Sequence, residues 1–202
     1  MIHSYPKIYG VILASGYSRR MGEQKLLLPL GQGTIFDQVI KTVHQSHLSG
    51  IYTVIPSESK GRREISTKHD VDQVFNDKPY LGMGYSLALG IHSLPKNTDA
   101  AVILLADQPE IHPADINAVY QQFCNQDRSE KVIIRTYYQN QIKGHPILFS
   151  KHFFSELKNL TGDVGGKHTL HKHSHYVKDI QSHHDYPEDI DTPTDYNMLI
   201  SK

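Results

Sequence analysis

An abrupt change from an apolar run to a basic loop with two glycines constrains this chain more than any other feature. Residues 11–14 are apolar, and Gly16 and Gly22 follow them. A short apolar run that ends at a turn is typical of a buried strand in a parallel sheet, whose ligands bind beyond the carboxyl ends of the strands. Glycines allow close backbone approach, and clustered cations require an anionic partner. The cations of this loop are Arg19, Arg20 and Lys25. The pattern therefore predicts a loop that binds polyphosphate.

Two common phosphate loops do not fit the spacing. The P-loop places four residues between its glycines, whereas five lie between Gly16 and Gly22. The dinucleotide fingerprint begins at Gly82 and Gly84, but Leu87 stands where its third glycine should be. The alternative of a solvated basic surface loop is disfavoured, because the loop directly follows a buried strand.

Predicted strands and helices alternate in the first half of the chain. Residues 51–55 and 71–75 have the apolar content of strands, and residues 34–46 and 61–69 are predicted helices, the first capped by Thr34. This order predicts a parallel sheet with right-handed crossovers. A further helix is predicted to end near Leu94.

The most hydrophobic strand, residues 100–106, is predicted to be central and ends at Asp107. A carboxylate at that end of a central parallel strand lies at the ligand crevice and is a natural ligand for Mg²⁺. The alternative is a turn-initiating aspartate before Pro109. Residues 113–124 form a predicted helix, in which Cys124 packs beside an apolar stripe and has no activating neighbour.

The second half of the chain ends in a predicted hairpin and a predicted helix. Residues 132–137 are a predicted strand, and residues 143–149 a strand that pairs with it at the edge of the sheet. The C-terminal helix is predicted to begin at Pro193, with Thr192 as its N-cap.

Composition limits the class of protein. The length of 202 residues suits a single domain, 1–202, and 21 basic against 21 acidic residues argue against a nucleic-acid binder. Because the chain has no run of 18 apolar residues, we expect no membrane span. A single cysteine and an N-terminus without a signal-peptide core predict a cytoplasmic location.

The basic loop is similar to the nucleotide loop of a known family. The matching residues are Leu13, Ala14, Ser15 and Gly16, then Arg20, Met21 and Gly22, and finally Lys25. They resemble the MobA-like NTP transferases, and among these most closely the molybdenum cofactor cytidylyltransferases. Ser15 departs from the family pattern, in which cytidylyltransferases usually carry alanine and guanylyltransferases glycine, so the base remains open.

Five further segments resemble the family's motifs in the family's order. The implied nucleotide-binding residues there are Gly82, Gly84 and Ser86, in addition to the loop residues. The implied metal ligands are Asp107 and Asp191, with Asp189 as the alternative to the latter. The implied acceptor-binding residues are Gly144, His145, Pro146, Asp163 and Lys167. The family has arginine at the position of Lys167, so the bidentate contact of arginine is lost here.

The resemblance implies a three-layer α/β/α fold, Rossmann-like, with a mostly parallel sheet and one antiparallel strand. It also implies transfer of CMP from CTP to molybdenum-bound molybdopterin, which gives the cytosine dinucleotide cofactor and pyrophosphate. Arg20, Lys25 and Asp107 are the implied catalytic residues and Mg²⁺ the implied cofactor. A molybdenum hydroxylase is the expected receiver of the product.

Other functions remain open. They are guanylyl transfer, nucleotidyl transfer to a sugar phosphate, and a non-catalytic carrier of finished molybdenum cofactor. A dense histidine region near the C-terminus predicts a solvated, pH-sensitive surface, and a metal site there is the weaker alternative. Its members are His168, His171, His173, His175, His183 and His184.

Overall fold

A seven-stranded sheet runs through the molecule. The computed structural model describes residues 5–16 and 25–202, with the side chain of residue 140 left aside. The strands are β1 (Ile8–Leu13), β2 (Pro29–Leu30), β3 (Gly33–Thr34), β4 (Ile51–Pro56), β5 (Asp72–Asn76), β6 (Ala100–Leu105), β7 (Ile133–Tyr137), β8 (Lys143–Ser150) and β9 (Val177–Gln181). The helices are α1 (Ile35–His44), α2 (Lys60–Lys68), α3 (Gly82–Ser93), α4 (Pro113–Cys124), α5 (Phe154–Leu157), α6 (Lys167–Lys172) and α7 (Pro193–Ile200).

The strand order is β5-β4-β1-β6-β8-β7-β9, and β2 and β3 form a separate two-stranded pair. Strands β5, β4, β1 and β6 are parallel neighbours, and β9 is parallel to β7. Strand β8 runs antiparallel to both β6 and β7. The predicted mostly parallel sheet with one antiparallel strand is confirmed.

The prediction that residues 143–149 form an edge strand was wrong. Strand β8 lies inside the sheet, where Ile147 is opposite Ile103 of β6 and Arg135 of β7. Its continuous apolar run explains this position, because Ile147 and Leu148 are buried on opposite faces of the sheet. The edge is instead taken by β9, a strand that was not predicted and whose exposed and half-buried residues suit an edge.

Helices cover both faces of the sheet, because alternate strand residues point to opposite sides. On one face, Ile12 of β1 belongs to the same buried cluster as Phe36 of α1 and Ile116 of α4. On the other face, Val11 clusters with Leu87 of α3. Helices α2 and α7 add to the first face, and α5 and α6 to the second. The predicted three-layer fold is confirmed.

Local signals in the sequence set the ends of two helices. Thr34 caps α1, and Asp37 completes a capping box by accepting from the Thr34 backbone N–H. Thr192 and Asp195 form the same arrangement at the start of α7. None of the helices within the described ranges has the length and apolar character needed to cross a bilayer.

Gly90 lets α3 approach the sheet closely, and this gives a test of the packing. A Cβ at this position would lie 2.5 Å from Val11 and 3.0 Å from Val54, both fully buried. We expect Gly90→Ala to lower the free energy of unfolding by about 1–3 kcal/mol, because stiff valine side chains cannot move aside. Urea denaturation measures this change.

Gly61 of α2 is the matched control. A Cβ there would meet only the flexible end of the Leu27 side chain, at 2.7 Å. Gly61→Ala should therefore be neutral or stabilising by up to about 1 kcal/mol. Equal destabilisation by both variants would contradict the packing of α3 on β1 and β4.

Asp37 links the stability of the fold to pH. Burial disfavours its charge, but hydrogen bonds from His69, Lys68 and Thr34 outweigh this and lower the pKa of Asp37 from 3.8 to about 2. A lowered pKa stabilises the fold above pH 4, and this stabilisation is lost as the pH falls towards 2. We expect Asp37→Asn to cost about 2 kcal/mol near neutrality and progressively less below pH 4, as measured by chemical denaturation.

Glu64 provides the comparison, since its ion pair with Lys60 is 3.7 Å long and exposed. Glu64→Gln should change stability by less than about 0.5 kcal/mol at every pH. A cost for Asp37→Asn that does not vary with pH would contradict the assignment of Asp37.

Candidate functional site

A cavity of about 460 Å³ opens at the carboxyl ends of β1 and β6. Open α/β sheets bind their ligands at this edge. Residues from six separate stretches of the described chain line it. They are Leu13 to Gly16, then Lys25 and Leu26, then Pro79, Tyr80, Gly82, Met83 and Ser86, then Leu105 to Asp107, then Asp163, and finally Asp189 and Asp191.

The residues that follow β1 are fixed to the neighbouring strand and helix. The Ala14 N–H and the Ser15 hydroxyl both donate to the Val54 carbonyl, at 2.9 and 3.0 Å. From α2, the buried guanidinium of Arg62 donates to the Ala14 carbonyl at 2.6 Å. Ser15 is buried, whereas Gly16 is exposed at the cavity. The backbone that enters the predicted phosphate loop is therefore held in place from two sides.

Lys25 joins the two predicted metal ligands. Its ammonium Nζ donates to Asp107 Oδ2 at 2.8 Å and to Asp191 Oδ1 at 2.7 Å. Burial opposes the charge of Lys25, but the two carboxylates outweigh it and raise the pKa above its ordinary value. Three residues far apart in the sequence thus form one charge cluster at the cavity.

A third carboxylate, Asp189, lies beside this cluster. The Ile190 N–H donates to the Asp107 carbonyl at 3.0 Å and holds the C-terminal segment against the end of β6. Gln108 Nε2 donates to Asp189 Oδ1 at 2.8 Å. Burial, followed by the nearby charge of Asp107, raises the pKa of Asp189 to about 6. Sequence reasoning missed Gln108, although it directly follows the predicted metal ligand.

Two of the predicted nucleotide-binding glycines lie where two backbone segments are in close contact, and this contact leaves no room for a side chain. Gly82 has φ of 90°, and a Cβ there would lie 2.4 Å from Asp163 and 2.5 Å from the backbone of Gly162. The Gly84 N–H donates to the Gly162 carbonyl at 2.7 Å. This contact places Asp163, predicted to bind the acceptor, in the wall of the first cavity. Ser86 also lines this cavity.

A second cavity of about 740 Å³ adjoins the first and shares Leu13, Met83, Leu105 and Asp189 with it. Three cations line it, namely Arg135, Lys143 and Lys167. Arg135 and Lys143 both lie against Asp179, at 2.7 and 3.7 Å. The second cavity was not apparent from the sequence, because its walls come from β7, β8, α6 and the segment after β9.

Three of the predicted acceptor residues line the second cavity, Asp163 lines the first, and the fifth lies outside both. Gly144, His145 and Lys167 line it, whereas Pro146 is buried and belongs to the lining of neither cavity. Burial and the neighbouring Lys167 lower the pKa of His145 to about 4, so its imidazole is neutral at physiological pH. Gly144 is required because a Cβ there would lie 2.7 Å from the Tyr186 ring.

Two of the predicted site residues, Arg20 and Gly22, lie outside the described residues. Cys124 is not part of either cavity lining, and burial raises the pKa of its thiol.

Within residues 5–16 and 25–202, no three His, Cys, Asp or Glu side chains converge as a metal site would require, and this includes the histidine region. In that region His184 instead stacks on His112 with ring centres 3.7 Å apart, and His173 pairs with Glu156. Asp107 and Asp191 nevertheless suit Mg²⁺, because this cation commonly takes one or two carboxylates and completes its shell with phosphates and water.

Comparison with known proteins agrees with this architecture. The family model for the MobA-like NTP transferase domain matches residues 10–177. The purine catabolism protein PucB of Bacillus subtilis is 30% identical over 205 residues, which cover 96% of each chain. The molybdenum cofactor cytidylyltransferase of Escherichia coli is 25% identical over 92% of each chain.

A solved structure extends the comparison to three dimensions. The manganese complex of Rv0371C from Mycobacterium tuberculosis superimposes with a TM-score of 0.81 and is 25% identical, covering 97% of this chain and 99% of that one. The family match spans most of the sheet and most of the lining of the first cavity, and Asp189 and Asp191 lie beyond it. The chain therefore belongs to the MobA-like NTP transferase family.

Proposed function

We propose that this protein transfers CMP from CTP to molybdenum-bound molybdopterin and releases pyrophosphate. A phosphate oxygen of the acceptor attacks the α-phosphorus of CTP, and the bond from that phosphorus to the β-phosphate oxygen breaks. The observation that carries the proposal is the charge cluster of Lys25, Asp107 and Asp191 in a cavity that opens directly onto a second, cation-lined cavity.

The first cavity would hold the triphosphate. Lys25 and Arg20 would hold the β- and γ-phosphates, which form the leaving group, and the backbone at Gly16 and Gly22 would contact the phosphate chain. Gly82, Gly84 and Ser86 would frame the nucleoside. In phosphoryl-type transfer, positioning and charge neutralisation provide most of the catalysis. No protein nucleophile is required, because an acceptor phosphate is already largely anionic near neutral pH.

The second cavity would hold the acceptor. Lys167 would bind an anionic group of the acceptor, and the neutral His145 would offer hydrogen bonds to it without adding charge. Asp163, at the wall of the first cavity, would contact the acceptor near the reacting phosphate. The wall that the two cavities share would then bring the two substrates side by side.

A divalent cation would be held by Asp107 and Asp191, and we propose Mg²⁺. When bound, it would neutralise charge on the phosphates of the nucleotide. The similar structure of Rv0371C is a complex with manganese, and this supports the proposal of a divalent cation here.

The relatives support the acceptor class to different degrees. The cytidylyltransferase of Escherichia coli is 25% identical and carries the proposed reaction in its name, whereas PucB, at 30%, is named for purine catabolism. We propose that a molybdenum hydroxylase receives the product, since such an enzyme can serve a catabolic pathway.

A carrier without catalytic activity would need neither carboxylate, and pyrophosphate release distinguishes it from a transferase.

Asp107 provides the direct test of this function. Asp107→Asn removes one carboxylate charge at the reacting phosphates, so we expect pyrophosphate release from CTP and the molybdenum-molybdopterin acceptor to fall about 100-fold or more. GTP and ATP, assayed in parallel with the unchanged protein, determine the base preference, and we expect CTP to be used best.

Asp99 is the matched control because it lies at the opposite end of the same strand and also pairs with a lysine, Lys151, at 3.2 Å. Asp99→Asn should retain turnover. Full activity in Asp107→Asn would contradict the metal assignment, and preferential use of GTP would replace the proposed reaction with guanylyl transfer.

Lys167 separates the acceptor site from the nucleotide site. Lys167→Met should raise the KM of the acceptor about tenfold, because an exposed charge at the cavity wall is lost, while the Kd of CTP stays unchanged. Steady-state kinetics and calorimetry give the two values. A change confined to CTP binding would contradict the placement of the acceptor.

A further inference from the structure

The ammonium of Lys25 lies between the two carboxylates that would hold a divalent cation. Its Nζ is 2.8 Å from Asp107 and 2.7 Å from Asp191. The side chain of Lys25 is only 12% exposed, whereas those of Asp107 and Asp191 are 25% and 49% exposed, so the contact is shielded from solvent at its cationic end alone. The short distances leave each carboxylate engaged by the same positive charge.

This arrangement has a consequence for metal binding. A divalent cation that approaches Asp107 and Asp191 must displace the ammonium or share the carboxylates with it. Removing one partner from a shielded ion pair is costly, because the displaced charge loses its compensation. The metal on its own therefore competes with a cation that the chain supplies.

A nucleoside triphosphate changes the competition between Lys25 and the metal for the two carboxylates. Lys25 lines the same cavity as Gly16 and the start of α3, where the triphosphate would lie. Lysine carries a compact charge on a flexible stem with three donors, and can exchange a carboxylate for a phosphate without losing an ionic partner. The negative charge of the nucleotide attracts Lys25, and Asp107 and Asp191 then become available to the metal. The phosphate oxygens of the nucleotide bind the same metal.

We propose that Lys25 is a resident counter-ion that suppresses divalent-cation binding until a nucleoside triphosphate draws it away from Asp107 and Asp191. This inference rests on the proposed nucleotide and metal site and concerns the order in which that site fills. Because the carboxylates raise the pKa of Lys25, the lysine stays charged near neutral pH and the suppression does not depend on protonation. By thermodynamic linkage, nucleotide and metal each raise the affinity for the other by the same factor.

Binding of Mn²⁺, followed by the loss of the free-ion signal in electron paramagnetic resonance, tests the inference without any acceptor. In the unchanged protein we expect weak Mn²⁺ binding that tightens about tenfold or more when CTP is added, after the Mn²⁺ bound by CTP in a protein-free sample is subtracted. Lys25→Met should bind Mn²⁺ about tenfold more tightly than the unchanged protein in the absence of CTP. Lys25→Arg retains a cation and should stay weak without nucleotide.

Two controls separate local competition from overall charge. Lys151→Met removes the lysine paired with Asp99 at the far end of β6 and should leave Mn²⁺ binding unchanged. A double variant with Lys25→Met and Asp107→Asn should lose the tighter Mn²⁺ binding of Lys25→Met, because one of the two metal ligands is missing. Circular dichroism gives a second measurement, since Mn²⁺ should raise the Tm of Lys25→Met more than that of the unchanged protein.

Equal or weaker Mn²⁺ binding by folded Lys25→Met in the absence of nucleotide would overturn the inference. Because this comparison does not require CTP, it still tests whether Lys25 competes with Mn²⁺ if the protein binds no CTP. In that case the proposed transferase function fails separately.

Discussion

The ionic contact between Lys25 and the carboxylates of Asp107 and Asp191 is the interaction on which the site depends. It joins the end of the predicted phosphate loop, the end of β6 and the segment before α7. The hydrogen bond from Ile190 to the Asp107 carbonyl holds the last of these in place. The Lys25 ammonium is shielded from water, so it is costly to leave it without a carboxylate partner. The contact therefore organises the site and limits what else can bind there.

The sheet explains why residues so far apart in sequence meet. Strands β1 and β6 are adjacent and parallel, with Leu13 opposite Leu105, so the segments that follow them emerge side by side. The antiparallel strand β8 then places Gly144 and His145 near the same edge, where they line the second cavity. A parallel core with one reversed strand thus sets two cavities next to each other, which suits the proposed joining of two substrates.

Much of this arrangement could be predicted from the sequence, because its signals are local. Three such signals are the apolar run before Gly16, the apolar strand that ends at Asp107, and the capping residue Thr34. Each one predicts the secondary structure of the residues next to it. The place of β8 could not be predicted, since hairpin pairing with β7 does not reveal that β6 lies on its other side. Nor could the sequence show the contact between Lys25 and Asp191, because a pairing of residues 166 positions apart depends on the whole topology.

We propose that Asp107 and Asp191 form a metal site at the cavity that would hold the triphosphate. The most direct measurement is an anomalous difference map from crystals grown with Mn²⁺ and CTP. We expect one strong peak between the Asp107 and Asp191 carboxylates, in contact with the phosphates, and a Lys25 ammonium that has moved onto the phosphate chain. A peak elsewhere, or a triphosphate bound with Lys25 still between the two carboxylates, would contradict it.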